Sequence, residues 1–316
     1  MKSRAICFTL FSTIAISIAA SLPAQAQRAR VFVSVTGDDA NPCTGGSPCK
    51  TFQHAHDVVL AGGEISVLDT GGYGTLLISK SLSIVAIGVE ASIAIPSGST
   101  GINVNVGSTD KVSLRGLTLD GTGVGTTGIF FQSGGSLTVE DCVVRNMTQS
   151  GLLISGSLTA LTLAVSNSSF NDNGLNGIII SQGNSGAITA SIDRTSFNGN
   201  SDDGLAVIGS LGTGPLTVAV TDSIAAHNGS RGFDVSSATG HSVSNLSVTH
   251  SQVASNSVGV LAFGANATLW LAQSTVTGNT SGFDASNGGT IKSYGDNYLQ
   301  AANTSNSGTL SAATKQ

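Results

Sequence analysis

The chain has 316 residues, thirteen Lys and Arg against eighteen Asp and Glu, and a formal net charge of -5. Only 10% of it is charged and 41 residues are Gly, yet Val, Ile and Leu recur throughout; this excludes a disordered polyelectrolyte and points to an ordered, turn-rich β protein. The acidic balance also argues against nucleic acid or an anionic membrane surface as a partner.

In chain order, Lys2 and Arg4 precede the apolar stretch "ICFTLFSTIAISIAA", and Ala24-Gln25-Ala26 comes next as a small-x-small cleavage site. Residues 1–26 therefore read as a signal peptide, which predicts an exported protein: secreted, periplasmic or held at the cell surface. The mature chain would keep eleven basic and eighteen acidic residues, a net charge of -7. No later segment is apolar enough to span a membrane. Residues 27–61 form an N-terminal region. Val31–Val35 reads as a strand, and "KTFQHAHDVVLAGG" reads as a short helix closed by Gly, placed as a cap over the open end of the repeats that begin near Gly62. Cys43 and Cys49 flank the turn-forming "TGGSP", and in an oxidising compartment they read as a local disulfide. Two free thiols are the alternative, and a zinc site lacks a second pair of ligands nearby. His54 and His56 sit two apart on the helix, point to different faces and read as cap surface, not as ligands.

Residues 62–300 repeat. "SSFNDNGLNGIIIS" from Ser168 and "TSFNGNSDDGLAVI" from Thr195 place Phe, Asn, Gly and alternating apolar residues in the same order. Asn173, Asn200, Asn228, Asn256 and Asn279 recur at intervals of 27, 28, 28 and 23. Each is followed by a Gly (Gly177, Gly204, Gly232, Gly259, Gly282) and then by apolar residues two apart. A period in the twenties built from spacing-two elements describes stacked coils of short strands. The fold class predicted is all-β, a single-stranded parallel β-solenoid of roughly nine or ten coils and ~45 Å length at one strand spacing per coil. The repeated Asn would stack at a turn, bonding to backbone and to each other, and the Gly would tolerate the bend. Phe170 and Phe197 would stack inward one rung apart. Cys142 stands where other coils carry Ser or Thr and reads as a small stacked residue, not a nucleophile. Residues 301–316 read as a polar C-terminal tail lying loosely over the far end.

Strand with inward aliphatics, Asn turn and Gly-Ile-x-Val together resemble the right-handed parallel β-helix repeats of the pectin-lyase-like superfamily, over most of the mature chain. The resemblance implies a fold and leaves the chemistry open. Its families include polysaccharide lyases, glycoside hydrolases, uronate epimerases, phage tailspikes and adhesins. Residues just after the first strand of each coil gather on one edge: Glu140, Asp141, Asp193, Arg194, Asp222 and His250. Paired carboxylates beside Arg or His can bind a cation or serve as acid and base on a sugar; the plainer reading is a solvated ladder of alternating charges. Asp202-Asp203, His241 and Lys292 resemble parts of a polygalacturonase-like site, but their repeat phases place them on different edges. No cofactor motif is present. Two function classes remain: a carbohydrate-interacting surface or periplasmic protein with a polysaccharide or cell-envelope glycan as partner, and a polysaccharide-active enzyme (lyase, glycoside hydrolase or epimerase).

Overall fold

The computed structural model describes residues 28–299 and 305–314, so the signal-peptide reading of residues 1–26 lies outside the described residues. Short strands wind through about nine turns of a parallel β-solenoid. Among the described residues they form three parallel sheets, named here I to III in the order the chain visits them. Sheet I has twelve strands, from Arg28–Val33 to Leu310–Ala312. Sheet II has ten, from Gly71–Gly72 to Tyr298–Leu299, and sheet III has ten, from Leu76–Ile78 to Ser305–Ser307. Each strand pairs with its counterpart one coil on, as Val165 does with Ile192 and Val220 with Val248. Spacing-two patterning makes this work. In Ala187–Asp193 the residues Ile188, Ala190 and Ile192 point inward and are buried, while Thr189 and Ser191 point out.

The aromatic column is as the repeat predicts. Phe170 and Phe197 are fully buried, with ring centroids 6.3 Å apart, and Phe233 of sheet III meets Phe197 edge-on at 5.9 Å. The Asn column forms a continuous ladder. Asn228 Oδ1 accepts from the backbone N–H of Asn200 at 3.1 Å and from its Nδ2 at 3.0 Å, and Asn256 repeats this for Asn228. A second ladder runs at the corner between sheets I and II. The hydroxyls of Ser168, Thr195, Ser223, Ser251 and Ser274 each donate to the carbonyl two residues back. Ser168, Ser223, Ser251 and Ser274 also accept the N–H of the preceding coil's residue in the column. Cys142 occupies the same column: its thiol donates to Glu140 O, and burial pushes its pKa up to about 11, away from nucleophilic chemistry.

Four features of the backbone differ from the sequence reading. The ladder-following Gly does not take the bend. That falls to the left-handed residue before each ladder Asn: Asp172, Gly199, His227, Ser255 and Gly278. The Gly is needed for close approach, since a Cβ on Gly204 would lie 2.6 Å from the carbonyl oxygen of Gly232. The helix spans Phe52–Val58, N-capped by Thr51, and runs straight into the strand Val59–Val67, so Gly62 and Gly63 lie inside a strand instead of closing the helix. Arg28–Val33 is already a rung of sheet I because Val31 and Val33 can be buried over Ile65 and Val67. In the polar tail, Ser305–Ser307 and Leu310–Ala312 add rungs through backbone pairing, and Leu310 packs partly buried against the core.

Cys43 and Cys49 are joined as a disulfide. With His54 they bring three ligand atoms within 4.8 Å, but both sulfurs are held in the bond and offer no thiolate. His56 is buried, not surface. Its Nδ1 meets Asp57 at 2.9 Å and its Nε2 accepts from the N–H of Ser79, tying the helix to the first coil. Among the described residues no helix is long and apolar enough to cross a membrane.

Candidate functional site

The corner from sheet I to sheet II uses a single left-handed residue per coil. Asp141, Asn167, Arg194, Asp222, His250 and Gln273 occupy it with φ between 44° and 54°, and all six side chains stand exposed. For residues other than Gly, Asn and Asp this conformation costs about 1–2 kcal/mol, so Arg194, His250 and Gln273 are aimed outward at some expense. The preceding column, paired in register, runs Glu140, Ser166, Asp193, Thr221, Thr249, Ala272. The sequence-predicted edge is thus one physical row.

Its charges pair locally. Arg194 bonds Asp193, its neighbour in sequence, and donates from Nε to Asn167 Oδ1 at 2.7 Å. Arg115 reaches Asp141 at 3.2 Å and Glu140 at 3.6 Å. Asp193 also accepts from the Thr221 hydroxyl at 2.8 Å. Among the described residues Asp222 has no ion pair, and His250 stands apart two rungs beyond Arg194. Asp141, Asn167, Arg194, Asp222 and the Ser and Thr around them line a groove of about 370 Å³.

The outer face of sheet I continues from this edge. Its middle column reads Ser83, Ser113, Thr138, Ala164, Ser191, Ala219, Ser247, Trp270, Lys292. Small uncharged residues make a flat floor, with two further depressions at its ends. One, of about 540 Å³, lies over Ser83, Ser113 and Thr138 with Lys111 beside them; the other, of about 490 Å³, adjoins Trp270, Lys292 and Tyr294.

A different group was missed by the sequence reading. Asp203, Arg231 and Asp234 meet at the entrance to sheet III: both carboxylates reach the same Arg231 nitrogen, Asp203 at 3.5 Å and Asp234 at 3.9 Å. Asp234 also accepts from the Ser236 hydroxyl at 2.6 Å. Burial drives the Asp203 carboxyl up to about 6 and that of Asp234 up to about 7, with Arg231 opposing and the neighbouring acids adding. The available signal was an acid in an apolar column, since Asp234 stacks between Ala206 and Leu261. A carboxyl protonated near neutrality could act as a general acid, yet both side chains are only 4% exposed, so a substrate would have to displace Arg231. His241 lies in the loop before sheet I and Lys292 within sheet I, so neither converges on Asp202 or Asp203.

The family described as "Right handed beta helix region" matches residues 100–298. Among solved structures, the chain is similar to the A-module of a mannuronan C-5 epimerase from Azotobacter vinelandii: 14% identity, TM-score 0.53, covering 80% of this chain and 91% of that one. It is also similar to a pectate lyase, with 17% identity and TM-score 0.56 over 92% of this chain and 78% of that one. At these identities the likeness is one of fold, in keeping with the pectin-lyase-like resemblance. No curated relative matches the chain in sequence.

Proposed function

Because the chain belongs to the right-handed β-helix family, we propose that it binds a polysaccharide along the outer face of sheet I and the corner beside it, as an exported protein of the cell surface or periplasm. The observation that carries this reading is the face itself. A flat floor of Ser, Thr and Ala is flanked by an exposed row of carboxylate, amide and guanidinium groups in register. A glycan presents hydroxyls repeatedly along its length, and a row of polar groups recurring at ~4.8 Å can meet them repeatedly. The similar structures carry the names of a polysaccharide epimerase and a pectate lyase, which agrees with a glycan partner.

Binding outranks turnover in this reading. Edge carboxylates paired with Arg115 and Arg194 present acceptor oxygens in a row on the surface, an arrangement that suits a sugar's hydroxyls or a cation. The enzyme reading draws its support from Asp203 and Asp234, acid-competent in charge but closed by Arg231. The deciding experiment is affinity retention on immobilised glycans, beside assays for reducing ends and unsaturated products. The native chain should be retained and release no product, and the double variant Arg194→Ala/Asp222→Asn should elute early. Unchanged retention in that variant would leave the edge a salt-bridge ladder, and product release abolished by Asp234→Asn would move the protein to the enzyme class.

A further inference from the structure

Trp270 interrupts the small-residue floor of sheet I. The five residues before it in its column, from Thr138 to Ser247, are Thr, Ala or Ser. Lys292, one rung on, sets its ammonium 4.2 Å from the centroid of the indole, and Tyr294 stacks beside the ring at 6.1 Å with planes 29° apart. Ala312, Ala313 and Thr314 of the last rung complete the wall of the depression of about 490 Å³. Two aromatic faces and one cation thus meet at the end of a neutral track. Among the described residues Lys292 has no carboxylate partner, so its only charged role here is over the indole.

We propose that this pocket holds one carboxylated pyranose, an acid-bearing unit of an otherwise neutral glycan whose remaining sugars extend along the Ser/Thr/Ala floor. The inference rests on the glycan reading above and adds to it a position and a charge specificity. Aromatic faces accept the apolar face of a sugar ring, and a cation already held over an indole can take one carboxylate in addition. A polyuronate fits poorly. The column leading to Trp270 is uncharged, the neighbouring edge carries Glu140, Asp141, Asp193 and Asp222, and the chain is acidic as a whole, so each further carboxylate would meet like charge.

Trp270 is the chain's single tryptophan, so its fluorescence reports this pocket alone. The full chain would be titrated with three probes: a neutral oligoglucoside bearing one terminal glucuronate, the same oligoglucoside without the acid, and an oligogalacturonate. The first should give a saturating spectral shift, and the second should bind at least about tenfold more weakly. The oligogalacturonate should also bind more weakly than the first, and Lys292→Met should abolish the preference for the acid-ended probe. No shift with that probe, equal affinity for the first two, tighter binding of the oligogalacturonate, or a preference surviving Lys292→Met would each overturn the proposal. Arg194→Ala/Asp222→Asn separates the two readings. A variant that loses column retention but keeps the tryptophan shift supports the pocket, whereas native retention with an unmoved tryptophan counts against the pocket alone.

Discussion

Replacing Asn228 by Ala tests whether the ladder, and not the apolar columns alone, holds adjacent coils in register. The Asn228 side-chain oxygen accepts the Asn200 backbone N–H at 3.1 Å and the Asn200 amide at 3.0 Å, and its own amide donates to Phe197 O at 2.9 Å. Asn200 and Asn228 are 1% and 3% exposed, so water does not substitute freely. Truncation leaves the Asn200 peptide N–H, one Asn200 amide hydrogen and the Phe197 carbonyl without those partners. At about 1–3 kcal/mol for each orphaned buried group, and with some relaxation, the expected loss is about 3–5 kcal/mol. Thr217→Ala, an exposed change on sheet I, should stay within about 0.5 kcal/mol. Urea unfolding of both variants gives the comparison, and amide exchange at Asn200 localises it, because a stack of coils can open locally without global unfolding. A loss for Asn228→Ala no larger than for Thr217→Ala, with the Asn200 amide still protected, would refute the reasoning and assign the register to side-chain packing.

Phe197→Ala opens a cavity between Phe170 and Phe233 and should cost about 3–5 kcal/mol by the same urea assay, with Phe197→Leu recovering most of it. The pH dependence comes from the carboxyl groups. Asp203 and Asp234 are raised in the folded chain to about 6 and about 7, so the native state binds more protons than the unfolded one above their ordinary value, and stability should fall as pH climbs from about 4 to about 7. Asp69 shifts the other way: burial pushes it up, but donors from Ser34, Tyr73 and the Val35 N–H outweigh that and hold it low, so its contribution is lost in acid. Thermal melts across pH should therefore peak in mild acid, and Asp234→Asn should flatten the alkaline side; a native profile that rises from pH 5 to 8 would contradict the assignment.

Much of the architecture was legible because a solenoid writes its contacts at a fixed interval. Asn173 and Asn200 meet because they are 27 apart, and Phe170 and Phe197 for the same reason. What escaped was whatever departs from the consensus of a column. Asp203 was legible only as half of the Asp202-Asp203 pair, because its contact with Arg231 and the apolar column around Asp234 come from another coil. The edge residues could be placed on one row but not paired: Arg194, on its left-handed backbone, bonds Asp193 and Asn167. The last rung carries little hydrophobic signal because Ser305–Ser307 pairs through its backbone. Gly62 and Gly63 read as a helix stop, although local residue preference says nothing of the strand that Arg28–Val33 lays beside them.

The corner between sheets I and II places one residue per coil where it contributes no side chain to the core, and its occupants already range over Asp, Asn, Arg, His and Gln. The identity of that residue is therefore uncoupled from core packing and constrained chiefly by the left-handed backbone, and the row forms a rail of exposed positions at a pitch of ~4.8 Å. A lineage carrying such a rail can change what it recognises one position at a time, with each step costing the scaffold no more than about 1–2 kcal/mol of backbone strain. The same exposure sets a limit: where no ion pair braces the side chain, as at Asp222 among the described residues, it can select a partner, but it cannot be held with the sub-ångström precision that bond-making demands.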